Sequence, residues 1–242
     1  MDRGSDELVI QPRLVARWLF GILAAFLAFH ITGYVAEIAD VSEDQGMIRF
    51  FDMNREYNLP TFFSAQLLFI SSLLLVLIAF GERQDKSSFR RWMGLAAIFL
   101  FLSADEILGI HEQLSTLVIL PENWKRLVFF RYPWVIPYLL LAALLAVVYR
   151  RFFFKLPERT RLYLALAACL YLGGAVVMES FSGFLAESGR WRSWKIIVTL
   201  EELLENLGLV VFIYTLISYA GNRLSSFRIR FGASSEKAGG GE

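Results

Sequence analysis

Residues Trp92 to Glu112 read WMGLAAIFLFLSADEILGIHE, an apolar run that closes on Asp105-Glu106 and then His111-Glu112. A membrane-spanning helix needs about 20 mostly apolar residues, so this stretch is long enough only if its acidic end lies inside the span. Carboxylates at that depth are costly unless they are protonated, paired or bound to a cation, and they mark function by default. The same pattern recurs twice. Glu179 stands near the end of the run Leu162 to Phe181, and Glu201, Glu202 and Glu205 stand near the start of Ile196 to Tyr219.

The wider composition agrees with a chain that lives in lipid. Hydrophobic residues make up 56% and charged residues 19% of 242 residues, and the mean hydropathy is +0.50, outside the range of ordinary soluble domains. Six stretches approach spanning length: Trp18 to Ala36, Thr61 to Phe80, Trp92 to Glu112, Tyr132 to Tyr149, Leu162 to Phe181 and Ile196 to Tyr219. The expected fold is an all-α integral membrane protein, a bundle of six transmembrane helices over residues 1–221. A basic and then Gly/Ser-rich tail, residues 222–242, is expected to be disordered in the cytoplasm.

Lys and Arg set the orientation. With the N-terminus inside, the cytoplasmic flanks hold three, four, five and four of them, against two, three and three in the outer loops. Both termini are then cytoplasmic, and the acids Glu37, Asp40, Glu43, Asp44, Asp52 and Glu56 fall together in the first outer loop. The chain is expected in the cell membrane as a multi-pass protein, with its acidic layer toward the extracytoplasmic side. Short inner connections predict antiparallel neighbours. The first apolar segment is too long for a signal peptide and is expected to be retained.

Several classes drop out. No basic cluster is interleaved with aromatics, which excludes nucleic acid as a partner. Gly-x-x-x-x-Gly-Lys, Gly-x-Gly-x-x-Gly and Gly-x-Ser-x-Gly are all missing. Cys169 is the only cysteine, so no intramolecular disulfide or cysteine-rich zinc site forms, and it reads as a small buried apolar residue. Gly173-Gly174 offers close backbone contact to a neighbouring helix.

At about 1.5 Å rise per residue, Asp105 lies roughly 20 Å from Trp92, and Glu201 and Glu205 lie roughly 8 and 14 Å below Ile196. His30, counted from Trp18, falls near the level of Asp105. Asp105 and Glu112, seven apart, share a helix face, as do Glu201 and Glu205, four apart. Glu106 and Glu202 sit about 100° round, which calls for a wide site or a supporting role. Thr199 with Glu202 also fits a capping box at a helix start.

So many acids cannot all be ionised in a small volume of low dielectric. Protons, Arg or Lys from the outer loops, or a metal ion must neutralise them. The candidate ligands are Asp105, Glu106, His111, Glu112, Glu179, Glu201, Glu205 and His30, with Glu112 and Glu202 as candidate catalytic bases. Only two histidines exist, which excludes three-histidine zinc and histidine-rich di-iron sites, and no Glu-x-x-His pair occurs. An oxygen-rich set suits Mn, Fe, Mg or Ca better than a structural Zn.

The expectation is a site for a divalent metal that acts by hydrolysis or oxidation on a lipid-like substrate. The same acids would also serve a cation or proton-coupled transporter, although the inner halves of the spans offer little beyond Ser71, Ser72 and Tyr163. A non-catalytic subunit of a membrane complex is the third reading. The segment Phe50 to Ser64, with Asn58 as a helix cap before Pro60, reads either as a helix-entry loop or as a lid over the acids.

Overall fold

The computed structural model describes residues 10–39, 45–117 and 133–223. The side chain of Glu112, the loop acids Asp40, Glu43 and Asp44, most of the Gln113 to Arg131 loop and the tail from 224 onward lie outside the described residues. The described residues are helical, without strands. The helices are α1 Pro12–Ile38, α2 Gln45–Phe50, α3 Leu59–Gly81, α4 Lys86–Leu108, α5 Ile110–Leu117, α6 Val135–Phe153, α7 Glu158–Leu172, α8 Glu179–Glu187 and α9 Trp191–Arg223, with a π-helical turn, Gly173–Met178, joining α7 to α8. Four of these rods are long and apolar enough to cross a membrane: α1, α3, α6 and the continuous stretch Glu158–Ala186.

Helix starts follow the local chemistry. The Asn58 side chain accepts from Thr61 N at 3.1 Å, with Pro60 in the first turn of α3, and Asp85 accepts from Ser87 N at 2.9 Å to open α4. Each satisfies a backbone donor left without an intrahelical partner.

Antiparallel and parallel neighbours can be read from paired residues. Ser72 Oγ donates to Ala96 O and Ser103 Oγ to Ala65 O, both at 2.8 Å, so α3 and α4 form an antiparallel hairpin clamped by hydroxyls. Ser64 Oγ meets Asn206 Oδ1 at 3.1 Å, and further along Leu75 and Ile78 share a core with Leu216 and Tyr219. Helices α3 and α9 therefore run parallel. α9 is the central element, packed on α1, α3, α7 and the π turn, while α6 lies at the periphery beside α4 with Leu140, Leu144, Val147 and Val148 exposed.

One end of the bundle is closed by apolar packing. Trp92, 1% exposed, lies among Leu75, Ile78, Phe152, Leu216 and Tyr219. Its Nε1 donates to Glu82 at 2.9 Å, and the Tyr219 hydroxyl donates to the same carboxylate. The acids of the long segments gather at the opposite end.

Two segments depart from uninterrupted helices. α4 stops at Leu108 because Gly109 takes φ 59°, ψ 41°, with its N–H on Asp105 O. The left-handed conformation suits glycine, which lacks the Cβ that would clash. Asp105 and Glu112 therefore do not share one helix face. The second departure is the π turn after α7. There Gly174 lies so close to α9 that a Cβ on it would stand 2.6 Å from Glu205 Cγ and 2.7 Å from Glu201 O. Gly174 thus makes the expected close contact, whereas a Cβ on Gly173 would meet nothing within 4 Å. Cys169 is exposed rather than buried, since it points away from the α9 face that Ala167 occupies.

Candidate functional site

Four helices leave a cavity of about 430 Å³ between them, lined from α4, α6, α7 with its π turn, and α9. Its walls have two characters. Along most of its length they are apolar, with Leu95, Phe99, Leu141, Leu145, Leu164 and Phe212. At the end away from Trp92 they carry Asp105, Glu106, Glu179, Glu201, Glu202 and Glu205, with Glu56 reaching in from the loop before α3. From Leu95 to Glu106 the helical rise amounts to about 16 Å, which measures the cavity from its apolar floor to its acidic head.

Asp105, 5% exposed, organises one wall. Its Oδ1 accepts from His111 N at 2.8 Å and lies 3.3 Å from His111 Nδ1. Its Oδ2 accepts from the Tyr138 hydroxyl at 2.8 Å. The glycine break makes this possible, because α5 restarts at Ile110 and folds His111 back over the side chain six residues earlier. Trp134 packs its ring 5.0 Å from the imidazole and 5.2 Å from Tyr138, fixing both. With Nδ1 held by Asp105, His111 presents Nε2 as the nitrogen available to a ligand. A carboxylate that orients an imidazole in this way fixes its tautomer and ring position.

The opposite wall comes from α9 and the π turn. Glu201 is 6% exposed, and its Oε2 has no hydrogen-bond partner among the described residues. The Glu179 carboxyl lies beside it. Glu205 occupies the room left by Gly174. Both Glu106 and Glu202 line the cavity despite their angular offset, so the site is wide rather than two-faced.

α9 begins at Trp191, eight residues before Thr199. The capping-box reading of Thr199 and Glu202 is therefore corrected, as both sit inside a helix whose backbone donors are already paired. Thr199 Oγ1 instead donates back to Lys195 O at 2.8 Å and meets Asn54 Oδ1 at 3.1 Å.

His30 stands apart from the cavity. Its Nε2 pairs with Thr199 Oγ1 at 3.0 Å, while Nδ1 accepts from Met53 N at 3.2 Å and lies 3.2 Å from Asp52 Oδ1. With Asn54, Asp52 and Lys195 it encloses a pocket of only about 10 Å³. Arg55 Nε reaches Asp52 Oδ2 at 3.1 Å, and Lys195 Nζ reaches Glu37 at 2.5 Å. Burial pushes the Asp52 carboxyl up, but His30, the Asn54 N–H and Arg55 together hold it below its ordinary value. This network ties the loop before α3 to α1 and α9. Within the loop, Asn58 caps α3 as expected of a helix-entry segment, and Glu56 belongs to the cavity lining.

Among the described residues, no Lys or Arg belongs to the lining. Among the described residues, no group of three or more His, Cys, Asp or Glu side chains is arranged to hold a metal ion. The reason is geometric: the acids are spread round a wide wall, Asp105 has both oxygens engaged, and His30 lies elsewhere. Of the eight expected ligands, His30 lies outside the cavity lining, Asp105, Glu106, His111, Glu179, Glu201 and Glu205 belong to it, and the side chain of Glu112 lies outside the described residues. Tyr138, Trp134 and Tyr171 line the site without having been singled out in the sequence. The available signal was Trp134 and Tyr138, an i, i+4 aromatic pair opposite Asp105 in depth.

A family model described as a domain of unknown function, DUF8692, matches residues 18–220. No curated protein and no solved structure matches the chain.

Proposed function

The chain belongs to the DUF8692 family, and we propose that it is a six-span membrane protein that receives a lipid-like amphipath in its acid-headed cavity. Helices α4 and α9 supply the two further spans. Each becomes long enough only with its acids counted inside the hydrocarbon, where helix partners and the cavity shield them. The Lys and Arg bias puts the Trp92 end in the cytoplasm and the cavity's acidic end toward the outer face.

The observation that carries this reading is the two-character lining. Mostly apolar pockets with a few convergent polar groups are the form small-molecule sites take, over about 300–1,000 Å³, and 430 Å³ falls within that range. An apolar tail along Leu145, Leu164 and Phe212 would place a polar head beside His111 and Glu201. His111 Nε2, backed by Asp105, would then take a proton from a head-group hydroxyl or from water, a role more suited to it than to Glu202. The packed cluster round Trp92 leaves no polar route toward the other end among the described residues, which favours a binding or processing site over a transporter.

The orphaned Oε2 of Glu201 favours a second reading, in which a divalent metal (Mn, Fe, Mg, Ca or Zn) joins carboxylates of α8 and α9. Mass spectrometry of lipids and metals retained by protein in nanodiscs tests both. An amphipath enriched over the bulk lipid, and lost when Ala168→Trp fills the apolar wall, is expected. Retention of stoichiometric metal without any enriched amphipath would replace the first reading by the second.

A further inference from the structure

We infer that the head group this cavity selects is a cation, an amine on a single apolar chain; the inference rests on the amphipath reading above and names its ligand class. Two independent observations carry it. Among the described residues, the polar end of the cavity is lined by acids, one histidine, tyrosines and Trp134, with no Lys or Arg. Asp105 already has donors on both oxygens, His111 on Oδ1 and Tyr138 on Oδ2. Glu201 is the reverse case: it is 94% buried, belongs to the cavity lining, and has one oxygen lacking any partner among the described residues.

A buried acceptor left unpaired is a cost that the fold carries until a donor arrives. An ammonium is the fitting donor, with three N–H groups and no acceptor capacity, and its charge is opposite to that of the carboxylates facing it. A phosphate head would meet those carboxylates as a like charge, with no Lys or Arg among the described lining residues to bridge them, so a phospholipid is disfavoured. Size points the same way. At about 430 Å³ the cavity lies near the lower end of small-molecule sites, a volume that suits one chain rather than two, and its floor-to-head length is about 16 Å.

The test uses the full chain in nanodiscs of zwitterionic lipid, with empty nanodiscs subtracted. Radiolabelled dodecylamine, dodecanol and dodecyl phosphate are the probes, and Mn²⁺ is the competitor. Saturable dodecylamine binding is expected, at least tenfold tighter than for either other probe and not displaced by Mn²⁺. Glu201→Gln should weaken the amine tenfold or more while leaving dodecanol unchanged, and Glu205→Gln serves if the first variant does not fold. Equal binding of dodecyl phosphate, displacement by Mn²⁺, or an amine affinity unchanged in the Glu201→Gln, Glu205→Gln double variant would overturn the inference. The two levels separate cleanly. If dodecanol binds and Ala168→Trp abolishes it while the amine has no advantage, only the head-group inference falls. If none of the probes binds saturably, the amphipath reading falls with it.

Discussion

Gly174→Ala tests the packing that places the acids on α9. A Cβ there stands 2.6 Å from Glu205 Cγ and 2.7 Å from the Glu201 carbonyl oxygen. The glutamate stem has some freedom, but the carbonyl belongs to the central helix and yields only if α7 and α9 move apart. Overpacking of this kind costs about 1–3 kcal/mol, against a helix-propensity gain of up to about 1 kcal/mol for replacing glycine by alanine. Gly173→Ala is the internal control, because its Cβ would meet nothing within 4 Å and only the propensity gain applies. The propensity gain is common to both variants, so they should differ by the overpacking cost, about 1–3 kcal/mol, with Gly174→Ala the less stable. Reversible unfolding in detergent, followed by tryptophan fluorescence, measures the difference. If Gly174→Ala is as stable as Gly173→Ala, the π turn does not hold α7 against α9 as described, and the arrangement of Glu201 and Glu205 would need revision.

Two further outcomes follow from the hydrogen bonds at the acidic end. Tyr138→Phe removes one of the donors on Asp105, and a hydrogen bond to a charged group contributes about 1.5–3 kcal/mol; a loss in that range, with a changed near-ultraviolet signal from Trp134, is expected, and an unchanged midpoint would refute the hub role of Asp105. The Asp52 carboxyl is held below its ordinary value of 3.8, so the folded state binds that proton less readily than the unfolded chain. Its contribution to stability is then fully present above that value and is lost as the pH falls below it. The midpoints of the native chain and Asp52→Asn should differ at pH 6 and converge below about pH 4, and a gap that instead widens toward acid would contradict the His30–Asp52 pairing.

The long apolar helices, their approximate limits and the collection of acids at one end were legible in the sequence because each depends on local composition and periodicity. Asn58 as a cap and Gly174 as a contact glycine were legible for the same reason. Two breaks were not. Gly109 lies within an otherwise helical pattern, and nothing nearby in the sequence distinguishes a tolerated helix glycine from one that turns left-handed. The choice is made by Asp105, which gains His111 as a partner only if the chain turns back. The long start of α9 was also hidden, since Trp191 to Lys195 is too charged to extend a span, so Thr199 and Glu202 looked like a helix start. His30 shows the limit of depth counting: it sits at the right level but on the far side of α9, and level along a helix says nothing about azimuth round the bundle.

Hydrophobic length and charge placement, summed along the chain, determined that this protein is helical, that it suits a membrane and that the acids of its long segments lie toward one end. Only the tertiary structure decided which of them share a cavity, which are occupied by neighbours and which buried oxygen has no partner among the described residues. The physical reason is that burial is a property of segments, whereas hydrogen bonding depends on where side chains from different helices point, and the turns at Gly109 and Gly174 set that direction.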